Sequence, residues 1–227
     1  MKVGVYIATH NNPLFLRLCL SQVAIQSRLP DMVAIHENTH PQSYMWAVDD
    51  IAESLKSKAV IILHDITHET IKHPLYHRKP LQRLFDEGCD VFFKLDHDDF
   101  FRINHIEHGL TQLSKGVDFN LNTLTAILLL PYRAGYVYMT PQPITRLNPL
   151  GGPAMTLCFN RTVAERYLAV MSDAASYGKQ DDEVFRGIMQ EFRGTFTPEC
   201  TTVYVIHGTN DSIRDWTEDE PRRQQVV

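Results

Sequence analysis

Several common sequence features are missing from this chain of 227 residues, and each absence narrows what the protein can be. No apolar run approaches the length that crosses a bilayer, so no transmembrane segment is expected. The net charge of -5 argues against a general nucleic-acid binder, because such proteins usually present a basic surface. The apolar stretch at the amino terminus is too short for a secretory signal peptide.

Cysteine is scarce, and the positions of the cysteines indicate whether the compartment is reducing. The four cysteines lie far apart and form no Cys-x-x-Cys pair. Cys19 and Cys158 sit in apolar stretches, which favours buried free thiols over disulfides. Because free thiols are typical of a reducing compartment, we expect a soluble, cytoplasmic protein.

The glycine-rich loops that usually hold phosphate groups are missing too. The polar segment Thr9-His10-Asn11-Asn12, which follows the first predicted strand, contains no Gly-x-Gly. No Walker-type sequence is present either. If the protein binds a diphosphate, the charge of that diphosphate must be balanced by some other group.

The sequence from Val91 to Phe101, VFFKLDHDDFF, offers such a group. Its first residues predict a buried strand, and Asp96, Asp98 and Asp99 follow within four positions. Carboxylates packed this closely repel one another unless a cation neutralises them, and oxygen ligands suit Mg²⁺ or Mn²⁺. A solvated acidic turn is the alternative interpretation. The phenylalanines on both sides favour the metal site, because a plain surface turn does not need them.

The first hundred residues alternate between predicted strands and helices, which indicates an α/β fold with a parallel sheet covered by helices on both faces. The predicted strands are Val3–Thr9, Met32–Glu37, Ala59–Leu63 and the one from Val91, and the predicted helices are Leu14–Gln26, Tyr44–Leu55 and Leu81–Glu87. In such sheets ligands bind beyond the carboxyl ends of the strands, where polar residues of this chain collect. One crevice, suited to a nucleotide or phosphorylated ligand with a metal, is therefore expected.

The second half of the chain is less regular. We predict helices over Ile103–Leu113, from Asn160 to about Val170 and from near Asp181, with Asn160 capping its helix. The predicted strands are Leu124–Leu130, Tyr136–Met139 and Thr202–Ile206, and Thr140–Pro153 is a proline-rich loop. A single domain over residues 1–212 and a charged tail over residues 213–227 follow from this pattern.

Two further polar patterns allow more than one interpretation. The acidic run Asp181-Asp182-Glu183 begins a helix, where the helix dipole alone favours acids; the alternative is that one of them is a general base. The 11 histidines include several pairs four residues apart, as in metallohydrolases, yet no His-Glu-x-x-His occurs. Surface or capping roles are expected for most of them, and His207 differs because it ends a strand.

In their order along the chain, several of these segments resemble the nucleotide-sugar glycosyltransferases of the GT-A fold, most closely the inverting group similar to family 2. The resemblance spans roughly residues 3–212. It rests on Thr9-His10-Asn11, Glu37, Asp96-x-Asp98, Gly151-Gly152-Pro153, Asp181-Asp182 and His207-Gly208-x-Asn210-x-Ser212.

The resemblance implies a role for each of these residues. Asp98 and His207 would bind Mn²⁺ or Mg²⁺, and Asp182, or else its neighbour Asp181, would be the general base that deprotonates the acceptor hydroxyl. The remaining residues would bind the donor and its nucleotide: Thr9, His10, Asn11, Glu37, Arg78 (or Lys79), Asp96 and Gly152.

The implied reaction moves a sugar, of the hexosyl type, from a nucleoside-diphosphate donor to a hydroxyl of a glycan or another acceptor, with inversion. A UDP-sugar is the favoured donor, although Glu37 stands where the family usually has an aspartate near the base. Two alternatives remain: a metal-dependent phosphohydrolase or nucleotidyltransferase that uses the same acidic crevice, and a sugar-nucleotide-binding module without turnover. Lacking the long extension and membrane helices of polysaccharide synthases, the chain is expected to act distributively.

Overall fold

A computed structural model describes residues 1–10, 12–38, 43, 45–67, 73–129, 157–174 and 181–207 of the chain. Within these ranges the backbone alone is described for residues 73–75, 123–129, 172–174, 181–183, 186 and 204–207. The strand expected over Tyr136–Met139, the loop expected over Thr140–Pro153 and the charged tail lie outside the described residues.

Strands and helices alternate through the described part of the chain. In chain order the elements are β1 (Val3–Thr9), α1 (Pro13–Ala24), β2 (Met32–Asn38), a 3₁₀ turn (Met45–Val48), α2 (Asp49–Ser57), β3 (Ile61–Thr67), α3 (His73–Asp86), β4 (Val91–Asp96), β5 (Phe100–Phe101), α4 (His105–Leu113), β6 (Phe119–Leu129), β7 (Leu157–Asn160), α5 (Arg161–Ala174), α6 (Asp181–Met189) and β8 (Gly194–His207).

The eight strands form one sheet in the order β3-β2-β1-β4-β7-β6-β8-β5. The first four strands in this order are parallel neighbours, as βαβ units with a helix between strands require. Strand β7 is antiparallel to both β4 and β6, whereas β8 runs parallel to β6 and antiparallel to β5. The expected α/β fold with a mostly parallel sheet is confirmed.

Each face of the sheet has its own hydrophobic core, because side chains alternate between the two faces along each strand. On one face the strands pack against α1, α2 and α4, with Ile7, Leu20 and Phe93 among the buried residues. On the other face they pack against α3, α5 and α6, around Phe92 and Tyr167. Both faces of β1, β2 and β4 are therefore covered, and the ends of these strands are left to carry polar groups.

Several elements differ from the expectations, and long-range pairing explains most of the differences. β7 was not expected, because its four residues form a strand only by pairing with β4 and β6, which are distant in sequence. β6 begins earlier than predicted, at Phe119, and includes the buried Asn120 and Asn122. Asn122 Oδ1 accepts hydrogen bonds from Asn120 Nδ2 and from Thr197 Oγ1 of β8, so this buried amide oxygen is satisfied inside the sheet.

The start of α3 was also predicted incorrectly. The helix was expected to begin at Leu81, yet α3 begins at His73 and contains Pro80 in its interior. The expected cap of α5 is confirmed, because Asn160 Oδ1 accepts a hydrogen bond from the Val163 amide. No helix among the described residues is both long and apolar enough to cross a membrane.

The thiols agree with the expectation, and three histidines are exceptions to the role expected for most of them. Cys19, Cys89 and Cys158 are buried free thiols, and Cys200 is a free thiol that is partly exposed. The surface or capping role expected for most histidines is wrong for His36, His77 and His105, which are all buried. Burial of these rings comes from the tertiary packing of strands and helices, which spacing along the chain does not report.

Gly109 and Gly187 offer a matched pair of substitutions that tests the packing of the α4 face. A Cβ on Gly109 would lie 2.6 Å from the Phe93 ring and 2.7 Å from the Cys158 sulfur, whereas one on Gly187 would meet no described atom within 4 Å. Gly109→Ala should lower the free energy of unfolding by about 1–3 kcal/mol through overpacking. Gly187→Ala in α6 should raise it by about 0.5–1 kcal/mol through helix propensity. Urea denaturation measures both, and equal effects would contradict this packing.

His105 should make the stability of the protein sensitive to acid. Its ring is fully buried, stacks on Phe101 at 3.9 Å and bonds Thr201 Oγ1 at 2.8 Å. Burial, together with the nearby His108, lowers the pKa of His105 from 6.5 to about 3. The unfolded chain then binds this proton first as the pH falls below about 6.5, so stability present above that pH is lost towards pH 3.

Replacing the ring by an amide isolates this contribution. His105→Gln should reduce the pH slope of the free energy of unfolding by up to about 1.4 kcal/mol per pH unit between pH 6 and 4. Denaturation at several pH values, with pH 8 as the reference for the loss of packing, measures the slope. An unchanged slope would show that the His105 ring does not titrate in this way.

Candidate functional site

Four of the sequence-predicted site residues meet at the carboxyl edge of the parallel strands. Thr9 at the end of β1 pairs in register with Glu37 of β2, and its neighbour Ala8 pairs with Asp96 of β4. His10 follows directly and is exposed, with Nδ1 hydrogen-bonded to the Asn38 carbonyl. The residues expected to line a crevice beyond the strand ends are therefore carried by three adjacent strands.

Asp96 is held by two basic side chains that the sequence analysis did not identify. Lys94 Nζ lies 3.3 Å from Asp96 Oδ1, and His77 Nε2 of α3 lies 3.4 Å from the same oxygen. Lys94 and His77 are almost fully buried, whereas about a quarter of the Asp96 side chain is exposed. Side chains two residues apart on a strand face the same side, so the sequence alone could have placed Lys94 beside Asp96. It could not have placed His77 there, because His77 belongs to α3.

The acidic residues after β4 form a tight turn with one partly exposed carboxylate. The Asp99 amide donates a hydrogen bond to the Asp96 carbonyl at 3.0 Å, and β5 begins at the next residue. The Asp99 side chain is fully buried, but Asp98 is partly exposed at the tip of the turn. Asp98, like Asp96 at the end of β4, is thus a carboxylate that a ligand can reach.

The thiol of Cys19 on α1 lies beside the acidic turn. It is buried, and its sulfur lies 3.8 Å from the Asp96 carbonyl oxygen. Burial raises the pKa of the Cys19 thiol well above its usual value, and the charges of Asp99, Asp98 and Asp96 raise it further. The turn therefore presents concentrated negative charge, which is the electrostatic condition for a bound cation.

The donor groups of the turn fit Mg²⁺ or Mn²⁺, since carboxylate oxygens are the ligands both ions prefer. β8 pairs antiparallel with β5 through Val203 and Phe100. The residues of β8 that follow Val203 therefore run in the direction of the acidic turn, which precedes β5. Strand β8 ends at His207. Among the described residues, no three His, Cys, Asp or Glu side chains lie close enough together to hold a metal ion. The side chain of His207 is not described.

Glu37 is buried and already hydrogen-bonded. Its Oε2 accepts a hydrogen bond from Ser43 Oγ at 2.8 Å and lies 2.9 Å from His64 Nε2 of β3. The Glu37 side chain has no exposed surface, whereas 23% of the His64 side chain is exposed. In this arrangement Glu37 fixes the ring of His64 in β3, and the partly exposed ring is the nearer of the two to solvent.

Arg78 lies at a separate cavity of about 350 Å³ between α3 and the edge strand β3. Lys79, Asp65 and the buried His36 line the same cavity. Burial lowers the pKa of His36 to about 4, and the charge of Lys79 acts in the same direction, so the ring is neutral near pH 7. Arg78 follows His77, the residue that contacts Asp96, in the sequence of α3, but no residue of β4 lines this cavity.

The other predicted site residues are only partly described. Asp182 is in the first turn of α6, and His207 is the last residue of β8, but neither side chain is described. Asn11 and Gly152 lie outside the described residues. The roles predicted for these four residues stay predictions.

Comparisons with known proteins identify the fold. No protein-family model matches the chain, and no curated protein sequence matches it. Residues 1–349 of S. aureus TarS in complex with UDP superpose with a TM-score of 0.64 at 12% identity, covering 91% of this chain and 61% of that 1–349 chain. The complex of the same protein with UDP-GlcNAc gives 0.63 at 12% identity, covering 92% and 60%.

A second solved protein has the same architecture. The mannosyltransferase PcManGT from Pyrobaculum calidifontis, in complex with GDP-Man and Mn²⁺, superposes with a TM-score of 0.58 at 14% identity, covering 95% of this chain and 59% of that one. The chain spans about three fifths of the length of these structures. Together with the sheet topology, these similarities show that the chain has the fold of GT-A nucleotide-sugar glycosyltransferases.

Proposed function

We propose that the protein is a metal-dependent glycosyltransferase that moves a sugar from a nucleoside-diphosphate donor to an acceptor hydroxyl. The observation that carries this proposal is the partly exposed Asp98, at the tip of an acidic turn beside the ends of β1 and β2. In this fold the structural neighbours hold UDP, UDP-GlcNAc or GDP-Man, and one of them also holds Mn²⁺. A UDP-sugar of the hexosyl type is the donor we favour.

The proposed binding mode assigns the diphosphate to the acidic turn. Asp98 and His207 would hold Mn²⁺ or Mg²⁺, which would stabilise the negative charge that develops on the departing nucleoside diphosphate. Thr9, His10 and Asp96 would orient the nucleotide and the donor sugar at the strand ends. The aspartates of the turn then serve to place a cation, and the chain needs no glycine-rich loop.

The proposed chemistry is a single displacement with inversion. Asp182, in the first turn of α6, would accept the proton of the acceptor hydroxyl, so that the hydroxyl oxygen attacks the anomeric carbon opposite the diphosphate. A carboxylate near a helix N-terminus is held in its charged form by the helix dipole, which suits a base. The acceptor is a glycan or another hydroxyl compound.

Two other functions use the same acidic crevice. A phosphohydrolase or nucleotidyltransferase would cleave generic phosphoesters or transfer nucleotidyl groups, and a binding module would hold the sugar nucleotide without turnover. The fold shared with enzymes in complex with UDP and GDP-Man favours glycosyl transfer over both.

Ligand-induced stabilisation tests the donor and metal assignments. UDP-, GDP-, dTDP- and CDP-sugars should be compared by thermal shift with and without Mn²⁺, and a UDP-sugar with Mn²⁺ should give the largest increase in Tm. Asp98→Asn should abolish the Mn²⁺-dependent part of the shift, because the amide removes the negative charge that binds the ion. An equal shift with every nucleotide, or an Mn²⁺ effect that survives in Asp98→Asn, would contradict these assignments.

Adjacent aspartates provide a matched test of the base. Asp182→Asn should lower the rate of sugar transfer by roughly 100-fold or more, while nucleotide and metal affinities stay within experimental error of wild type. Asp181→Asn, which changes the same charge at the neighbouring position, should retain most of the transfer activity. Transfer to a hydroxyl acceptor is measured by release of the nucleoside diphosphate. The reverse ranking would assign the base to Asp181, and full activity of both variants would show that neither aspartate at the start of α6 is the base.

A further inference from the structure

Lys94 is the unexpected charged residue of the central strand. β4 has the sequence VFFKLD, and its first five residues, Lys94 included, are buried. Lys94 lies opposite Tyr6 of β1 in the sheet register, and its side chain is only 4% exposed. An ammonium group in such a position is strongly unfavourable unless a partner charge compensates it.

The partner of Lys94 is the first aspartate of the acidic turn. Its Nζ lies 3.3 Å from Asp96 Oδ1 and 3.4 Å from Oδ2, so the ammonium contacts both carboxylate oxygens. His77 Nε2 of α3 lies 3.4 Å from Oδ1. The Asp96 carboxylate is thus clamped between its own strand and a helix, whereas Asp98 remains at the partly exposed tip.

This arrangement separates the tasks of the two aspartates. Asp96 already has a cationic partner supplied by the protein, and Asp98 is partly exposed to solvent at the tip of the turn. The Lys94 charge also offsets part of the negative potential that the turn would present to an incoming diphosphate. A unit charge about 10 Å from a bound diphosphate, in a site near the protein surface, changes its binding constant by roughly an order of magnitude.

We propose that Lys94 is a positioning residue and a built-in counter-charge, which fixes Asp96 and lets a nucleoside diphosphate bind at the acidic turn without a metal ion. The proposal rests on the proposed function, because it assigns the diphosphate to that turn. It adds that the metal strengthens nucleotide binding but is not required for it.

Three substitutions at Lys94 separate charge from shape. Lys94→Met keeps most of the volume and removes the charge, and Lys94→Gln retains a donor for Asp96 without the charge. Lys94→Arg keeps the charge. Calorimetric titration with UDP, in EDTA and again in saturating Mn²⁺, is the measurement, and urea denaturation checks that each variant is folded.

The wild-type protein should bind UDP in EDTA, and Lys94→Met and Lys94→Gln should weaken that binding roughly tenfold. In Mn²⁺ the loss should shrink to about threefold or less, because the ion supplies the missing charge. Lys94→Arg should stay close to wild type in both buffers. If Lys94→Met does not fold, Lys94→Gln, which retains a polar contact to Asp96, carries the test.

A merely structural lysine predicts a different pattern: equal losses in both buffers, or a loss of stability with unchanged UDP affinity. Either result would overturn the role of Lys94, as would a wild-type protein that binds UDP in Mn²⁺ and not in EDTA. Those three results leave the proposed function intact. If the wild-type protein binds no nucleoside diphosphate in either buffer, both proposals fail.

Discussion

Mutual repulsion among carboxylates at the end of the central strand is the constraint on which the site depends. Asp96, Asp98 and Asp99 lie within four residues, and one of them, Asp99, is fully buried. Such a group is stable only if its charges are divided among different partners. The structure divides them: Asp96 contacts Lys94 and His77, Asp99 is enclosed, and Asp98 is left partly exposed.

The helices make this division possible because they cover both faces of β4, the strand that ends in the first aspartate. Side chains of β4 alternate between a core with α1 and α4 and a core with α3 and α5. Lys94 and Asp96 therefore point to the same face, where α3 supplies His77. The cluster is held by the same packing that forms the fold, and its partly exposed tip is the part that we propose to hold the cation.

The sequence predicted those parts of the molecule that depend on local pattern. The alternation of strands and helices up to Asp96 gave the parallel sheet, and the polar residues after β1, β2 and β4 indicated the edge at which they meet. The cap of Asn160 on α5 was also readable, because capping depends on residues three positions apart.

Features that depend on distant partners were missed. β7 becomes a strand only between β4 and β6, and α3 continues through Pro80 because its buried face packs on β1 and β2. His77 and Glu37 acquired their partners, Asp96 and His64, from other elements of the chain. No spacing rule identifies such pairs, since they are set by the packing of helices on the sheet.

A crystal structure of the protein with UDP and Mn²⁺ is the measurement that tests the central claim most directly. The account predicts that the diphosphate lies beyond the ends of β1 and β4, with Mn²⁺ bridging it to the Asp98 carboxylate while Asp96 stays in contact with Lys94. UDP bound in the cavity between α3 and β3, or Mn²⁺ bound away from Asp98, would contradict it.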